Sequence, residues 1–87
     1  MKIWKWPLKD ETVQEIFAPQ GTKFLDAQVQ GEVVCLWGLC DESAPKEPRT
    51  ICIYGTGARI PDEPGEYIAT FQLYDGALIF HVFEGAV

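Results

Sequence analysis

The stretch Tyr54-Gly55-Thr56-Gly57-Ala58-Arg59 holds the residue types that come nearest to ligand chemistry in this chain. Glycines let a backbone approach an oxygen-rich group closely, while Thr56 and Arg59 add a hydroxyl and a fixed cation suited to phosphate or carboxylate. It is not a dinucleotide fingerprint, because Ile60 stands where a third glycine belongs and no Walker lysine is present. A tight turn at the exit of a strand explains the same glycines more economically. Arg59 is one of two arginines and the better candidate for an anion contact.

His81 is the single histidine, so a two-histidine metal site is excluded. Strand alternation puts it across from Thr70 and near Gln72, and a histidine satisfied by the Thr70 hydroxyl is expected ahead of a catalytic one. Binding is easier to credit than turnover: Thr70, Gln72 and His81, framed by Ile68, Ile79, Phe83 and Tyr74, read as a ligand floor or a subunit interface. Cys35, Cys40 and Cys52 with His81 formally make a Cys3His set. There is no Cys-x-x-Cys knuckle, however, and Cys35 and Cys40 point to opposite faces of one strand, so no metal is expected and the thiols read as small buried apolar groups. The acidic pairs Asp10-Glu11, Asp41-Glu42 and Asp62-Glu63 fall in loops and read as solvated turns. Trp4 and Trp6 share a face of the first strand; core packing is the default for tryptophan, with a partner interface on an edge strand as the alternative.

The elements that position these residues are strands. Tyr67 to Tyr74 and Ala77 to Glu84 are β-rich runs around Asp75-Gly76, a two-residue turn wanting positive φ at both positions. That turn pairs Leu73 with Leu78, Gln72 with Ile79, Phe71 with Phe80, Thr70 with His81, Ala69 with Val82 and Ile68 with Phe83. Ala69, Phe71, Leu73, Leu78, Phe80 and Val82 then form a core face, and Ile68, Thr70, Gln72, Ile79, His81 and Phe83 the other. A second hairpin turns at Gly31-Glu32. Its first strand, Lys23 to Gln30, sets Leu25, Ala27 and Val29 against Asp26, Gln28 and Gln30; its second, Val33 to Cys40, is apolar on both parities and reads as a central strand covered on both sides. Thr50 to Tyr54 is a short strand, and Lys2 to Leu8 and Thr12 to Ala18 are outer strands, with Pro7 suited to an edge. Pro45, Pro48, Pro61 and Pro64 break up the connections Asp41 to Arg49 and Gly55 to Glu66. About seven short strands with these turns predict an all-β fold, a small antiparallel sandwich or open barrel ending in a β-hairpin.

With 87 residues the chain is a single domain spanning 1–87. So short a domain buries roughly 60–65% of its unfolded surface, which makes a stabilising subunit interface, and hence a homo-oligomer, attractive. Thirteen acids against seven bases give a net charge of −6, which disfavours direct binding to a nucleic-acid backbone. The acids are dispersed, as ordinary solubility requires, rather than arrayed as a nucleic-acid mimic. No run approaches a membrane span, the start lacks the apolar region of a signal peptide, and three cysteines fit reduced thiols, so a cytoplasmic protein is expected.

Three segments, Ile3-Trp4-Lys5-Trp6-Pro7-Leu8, Tyr54-Gly55-Thr56-Gly57 and Gly76-Ala77-Leu78-Ile79-Phe80-His81-Val82-Phe83-Glu84, together resemble a family of small domains of unknown function from bacteriophage and prophage genomes. The resemblance spans nearly the whole chain, with Trp6 standing where Tyr is more usual, and brings no catalytic residues and no cofactor. It implies a setting: a phage accessory protein in the bacterial cytoplasm that counters host defence. On this reading the chain is not an enzyme but binds and sequesters a small nucleotide immune signal in a pocket at an oligomer interface. Tyr54, Gly55, Thr56, Gly57, Arg59, Thr70, Gln72 and His81 would contact the ligand, and Trp4, Trp6, Ile68, Ile79 and Phe83 the neighbouring subunit. The alternative is an anti-CRISPR-like inhibitor that binds a host defence protein directly through its acidic or aromatic surface.

Overall fold

The computed structural model describes residues 1–85. Seven strands follow one another: β1 (Lys2–Pro7), β2 (Val13–Pro19), β3 (Lys23–Gln30), β4 (Val33–Cys40), β5 (Lys46–Gly55), β6 (Glu66–Leu73) and β7 (Leu78–Glu84). They form two antiparallel sheets, ordered β1-β4-β3 and β2-β5-β7-β6. The sheets pack face to face as a sandwich and do not close into a barrel; the short dimension of 17 Å fits two sheets about 10 Å apart with their twist.

The core lies between the sheets, where Ala27, Leu36, Ile51 and Val82 are fully buried and Ala69 and Phe71 nearly so. Each comes from the inward parity of its strand, and the alternation in β2 repeats the rule with Gln14, Ile16 and Ala18 buried. The buried Gln14 amide is fully used. Its Nε2 donates to Lys9 O (2.9 Å) and Glu11 O (3.3 Å), and its Oε1 accepts from Lys9 N (2.9 Å), which pins the β1–β2 loop.

The C-terminal hairpin has the expected register from Leu73↔Leu78 to Ala69↔Val82. Asp75 (φ 54°) and Gly76 (φ 89°) both take the left-handed conformation, and Tyr74 joins them at 52°. The register breaks at a bulge between Tyr67 and Ala69, so Tyr67 rather than Ile68 opposes Phe83. Ile68 is thereby turned inward to pack on the core, off the outer face where alternation had put it. An equivalent bulge between Phe24 and Asp26 packs Phe24 on the core and leaves Leu25, expected inside, 44% exposed.

Two further expectations need correction. β5 begins at Lys46, not Thr50, and carries Pro48. The ladder to β7 starts only at Ile51, so at Pro48 the strand has β2 on one side and no partner on the other, where a missing N–H costs nothing. β4 is central in its sheet, but the core covers one side only. Trp37 and Leu39 on the outward parity stay half-buried between the flanking strands β1 and β3, although Cys35 on the same parity is buried.

Candidate functional site

The outer face of the four-stranded sheet gathers most of the residues whose chemistry stood out. Tyr54 in β5 opposes His81 in β7, which in turn opposes Thr70 in β6, so one row crosses three strands. Thr56, just past β5, shares a 2.7 Å hydrogen bond between its Oγ1 and His81 Nε2. On the other side of the ring, Thr70 Oγ1 lies 2.9 Å from Nδ1, and Tyr67 OH 2.8 Å from that same Thr70 oxygen. The result is a continuous relay, Tyr67–Thr70–His81–Thr56. Hydroxyls rotate, so either imidazole tautomer can be satisfied here, and among the described residues no carboxylate fixes one of them in the manner of a catalytic triad.

Aromatic rings frame the relay. Phe83 lies 6.1 Å from Tyr54 and meets Tyr67 edge-on at 5.7 Å, while Ile79 pairs with Gln72 along the same face. The Cys52 thiol and then burial push the Tyr54 phenol above its ordinary pKa. At the β2 edge Val13 and Phe17 are exposed, and Glu15 between them is the carboxylate on this face. The outward positions of β5 from Pro48 to Tyr54, of β7 and of β6 carry no charge.

The Gly55–Arg59 segment is a tight strand-exit turn. Thr56 N–H donates to Ile79 O (2.9 Å) and Ala58 N–H to Gly55 O (3.1 Å), so two of its backbone donors serve the fold. Gly57 has φ 88° and open space around its Cβ position, so backbone conformation, not crowding, calls for glycine. Arg59 is exposed and makes no ion pair among the described residues. Gln72 lies exposed next to the hairpin turn, whose Tyr74 projects into solvent.

Arg49, the other arginine, is committed elsewhere. Its guanidinium is bidentate to Glu84 (Nη2 to Oε1 2.7 Å, Nε to Oε2), donates to Thr22 O at 3.0 Å and lies 4.7 Å from the centre of the Phe24 ring. That carboxylate contact raises the Arg49 pKa against the opposing effect of burial. Neither Arg49–Glu84 nor Tyr67 was singled out from sequence. Tyr67 sits beside Ile68 in a β-rich run, and only the bulge decides which of the two faces outward.

Trp4 and Trp6 face the sandwich interior from the β1 edge. Trp6 Nε1–H donates to Phe17 O (3.0 Å) and its ring meets Phe24 edge-on at 5.8 Å, tying the two sheets together. Trp4 stands 6.0 Å from Trp6 with the Lys46 ammonium over its ring. They are thus separate from Ile79 and Phe83, and the five residues expected at one interface lie in three places. Among the described residues no cluster of three His, Cys, Asp or Glu side chains is placed to hold a metal, and no helix is long and apolar enough to cross a membrane. Two cavities open at opposite ends of the sandwich, and neither is lined by Thr56, Thr70 or His81. The candidate site is therefore a surface.

Fold and site together define a small β-sandwich with a polar relay set in an aromatic sheet face. The chain belongs to a family described as a domain of unknown function (DUF7352), whose model matches residues 1–87. No curated protein and no solved structure matches it.

Proposed function

We propose that this protein is a non-enzymatic, phage-encoded counter-defence factor that holds a small phosphorylated nucleotide between copies of itself, apposed through the outer face of the β2-β5-β7-β6 sheet. One observation carries the reading: Tyr54, Thr56, Thr70, Gln72 and His81, drawn from three strands and a turn, converge on a face where β5 from Pro48 to Tyr54, β7 and β6 present no outward charge. The rings suit a base, the hydroxyls and Gln72 suit its polar edges, and an unpaired Arg59 beside the turn suits a phosphate. One cation is little for a multiply charged ligand, but a two-fold interface brings two together. The phage setting rests on the resemblance of the three segments described above.

Native mass spectrometry, before and after incubation with cyclic and linear signalling nucleotides, tests both halves of this proposal. Expected is an oligomer with stoichiometric adducts below about 1 kDa, a mass that a pocket of this kind buries. Arg59→Ala should abolish the binding heat in calorimetry with the melting temperature unchanged. An adduct-free spectrum overturns the nucleotide reading. It would favour direct docking on a host defence protein, for which the exposed Phe17, Val13 and Tyr67 offer an apolar surface. Such docking would be nearly insensitive to salt if apolar and steeply sensitive if it used the acidic surface.

A further inference from the structure

At the end of the sandwich opposite the Arg49–Glu84 pair, a cavity of about 270 Å³ opens between the sheets. Its walls are apolar: Val34, Ile53 and Leu73 surround Phe71 and Phe80, whose rings stack 5.5 Å apart at 23°. Its mouth is the β1–β2 loop, with Lys9, Asp10, Glu11 and Thr12. That loop is already in place. Gln14 pins it from below, Leu8 N–H donates to Val34 O (2.8 Å), and Ile53 N–H donates to Thr12 O (2.8 Å). Neither Asp10 nor Glu11 is in an ion pair among the described residues, and two carboxylates outnumber the one ammonium of Lys9.

We propose that this cavity binds a small flat aromatic molecule bearing an amine cation, its ring among the Phe71, Phe80 and Leu73 side chains and its charge at Asp10 and Glu11. Volume sets the size of the ring. A dry apolar cavity of about 150 Å³ takes benzene, so the larger space here accommodates a fused two-ring system, while remaining below the range typical of drug-sized ligands. The rim sets the charge: a cation is drawn to the two carboxylates, and an anion of the same shape is repelled. A pre-formed mouth lowers the ordering cost that usually weakens so small a ligand. This site is separate from the outer sheet face, so it stands or falls independently of the nucleotide reading.

The test is an NMR titration of the full chain at low salt with three probes of one shape: tryptamine, the uncharged alcohol tryptophol, and the anion indole-3-acetate. Expected are shifts at Ile53, Phe71, Leu73 and Phe80, contacts between indole protons and the two phenylalanine rings, and affinities falling from cation to alcohol to anion. Asp10→Asn with Glu11→Gln should weaken tryptamine about three- to fivefold, as removal of exposed charge pairing does, and leave tryptophol unchanged. Leu73→Trp fills the space and should abolish binding of all three probes; should it fail to fold, the indole–phenylalanine contacts in the wild type decide. Absence of shifts at these residues up to about 5 mM probe, or equal affinity for all three, overturns the proposal.

Discussion

Adding one methyl group at Gly38 tests whether Trp6 belongs to the fold or is available to a partner. Gly38 is buried in β4, the central strand of its sheet, opposite Trp4 in β1 and Phe24 in β3. A Cβ there would come within 2.8 Å of Thr22 Cγ2, 3.0 Å of Trp6 Cζ3 and 3.3 Å of Phe24 Cδ1, all inside ordinary contact. Thr22 cannot swing away cheaply, because its buried hydroxyl donates to Pro19 O at 2.6 Å and contacts Cys40 Sγ at 3.3 Å. Trp6 is held by its hydrogen bond to Phe17 O. Overpacking of this kind costs about 1–3 kcal/mol, and three simultaneous contacts place Gly38→Ala near the top, about 2–3 kcal/mol. At about 4–8 °C per kcal/mol for a domain this size, the melting temperature should fall by about 10–20 °C, read by circular dichroism. Thr22→Ser removes the nearest methyl and keeps the hydroxyl bonds, so the double variant should recover about 1 kcal/mol or more relative to additivity. A melting temperature for Gly38→Ala within about 3 °C of wild type would mean that the indole yields freely, and would refute the packing role assigned to Trp6.

Two further outcomes follow from groups outside that contact. Glu84→Gln leaves the Arg49 guanidinium without its bidentate carboxylate; with side-chain exposures of 17% and 21% the pair is only partly desolvated, so the loss should be about 2 kcal/mol, below the range for fully buried pairs. Urea unfolding should show a lower midpoint at an unchanged m-value, and an unchanged midpoint would remove this pair from the forces holding that end of the sandwich. For Tyr54, the raised pKa means the fold favours the neutral phenol, so its contribution is present below the ordinary 10.0 and is lost as pH rises through the higher folded value. Ultraviolet titration should place the Tyr54 transition above 10.0, and Cys52→Ala should bring it back toward that value; identical curves would mean the thiol is not the cause.

The hairpin was legible because a short turn fixes everything beyond it: once Asp75 and Gly76 adopt positive φ, the pairing from Leu73 to Ala69 has one register. The bulges were not, for a reason shared by both. At Phe24-Leu25 and at Tyr67-Ile68 two large apolar residues stand side by side, and either can fill the inward position. Tertiary geometry makes the choice. β3 runs alongside β6 across the sandwich, with Gln28 Nε2 reaching Thr70 O at 3.5 Å, and both bulges fall at the same end of that strand pair, around Arg49 and Glu84. Bulging brings the Phe24 ring under the guanidinium and sends the Tyr67 hydroxyl to Thr70. The Thr56–His81 bond was hidden for another reason: it needs β5 beside β7, a neighbour relation between non-consecutive strands that alternation cannot order.

The same relay bears on how the outer face would behave when covered. Burying a polar group is costly when it loses its hydrogen bonds to water without replacement. Here both His81 nitrogens and the Thr70 hydroxyl already have partners within the sheet, so covering them removes little that is not replaced. Charge points the same way. A chain of net charge −6 repels its own copy, and the repulsion is least where the approaching surfaces carry no carboxylates, as across β5, β7 and β6. Gln72 differs from the relay residues, since its exposed amide makes no side-chain hydrogen bond among the described residues. Whatever covers the face must supply its partners or lose about 1–3 kcal/mol of desolvation. A nucleobase edge can do so with a matching donor and acceptor, whereas a purely apolar partner cannot. Gln72→Leu therefore separates the two readings of the face: it should weaken capture of a nucleotide and strengthen docking of an apolar protein surface.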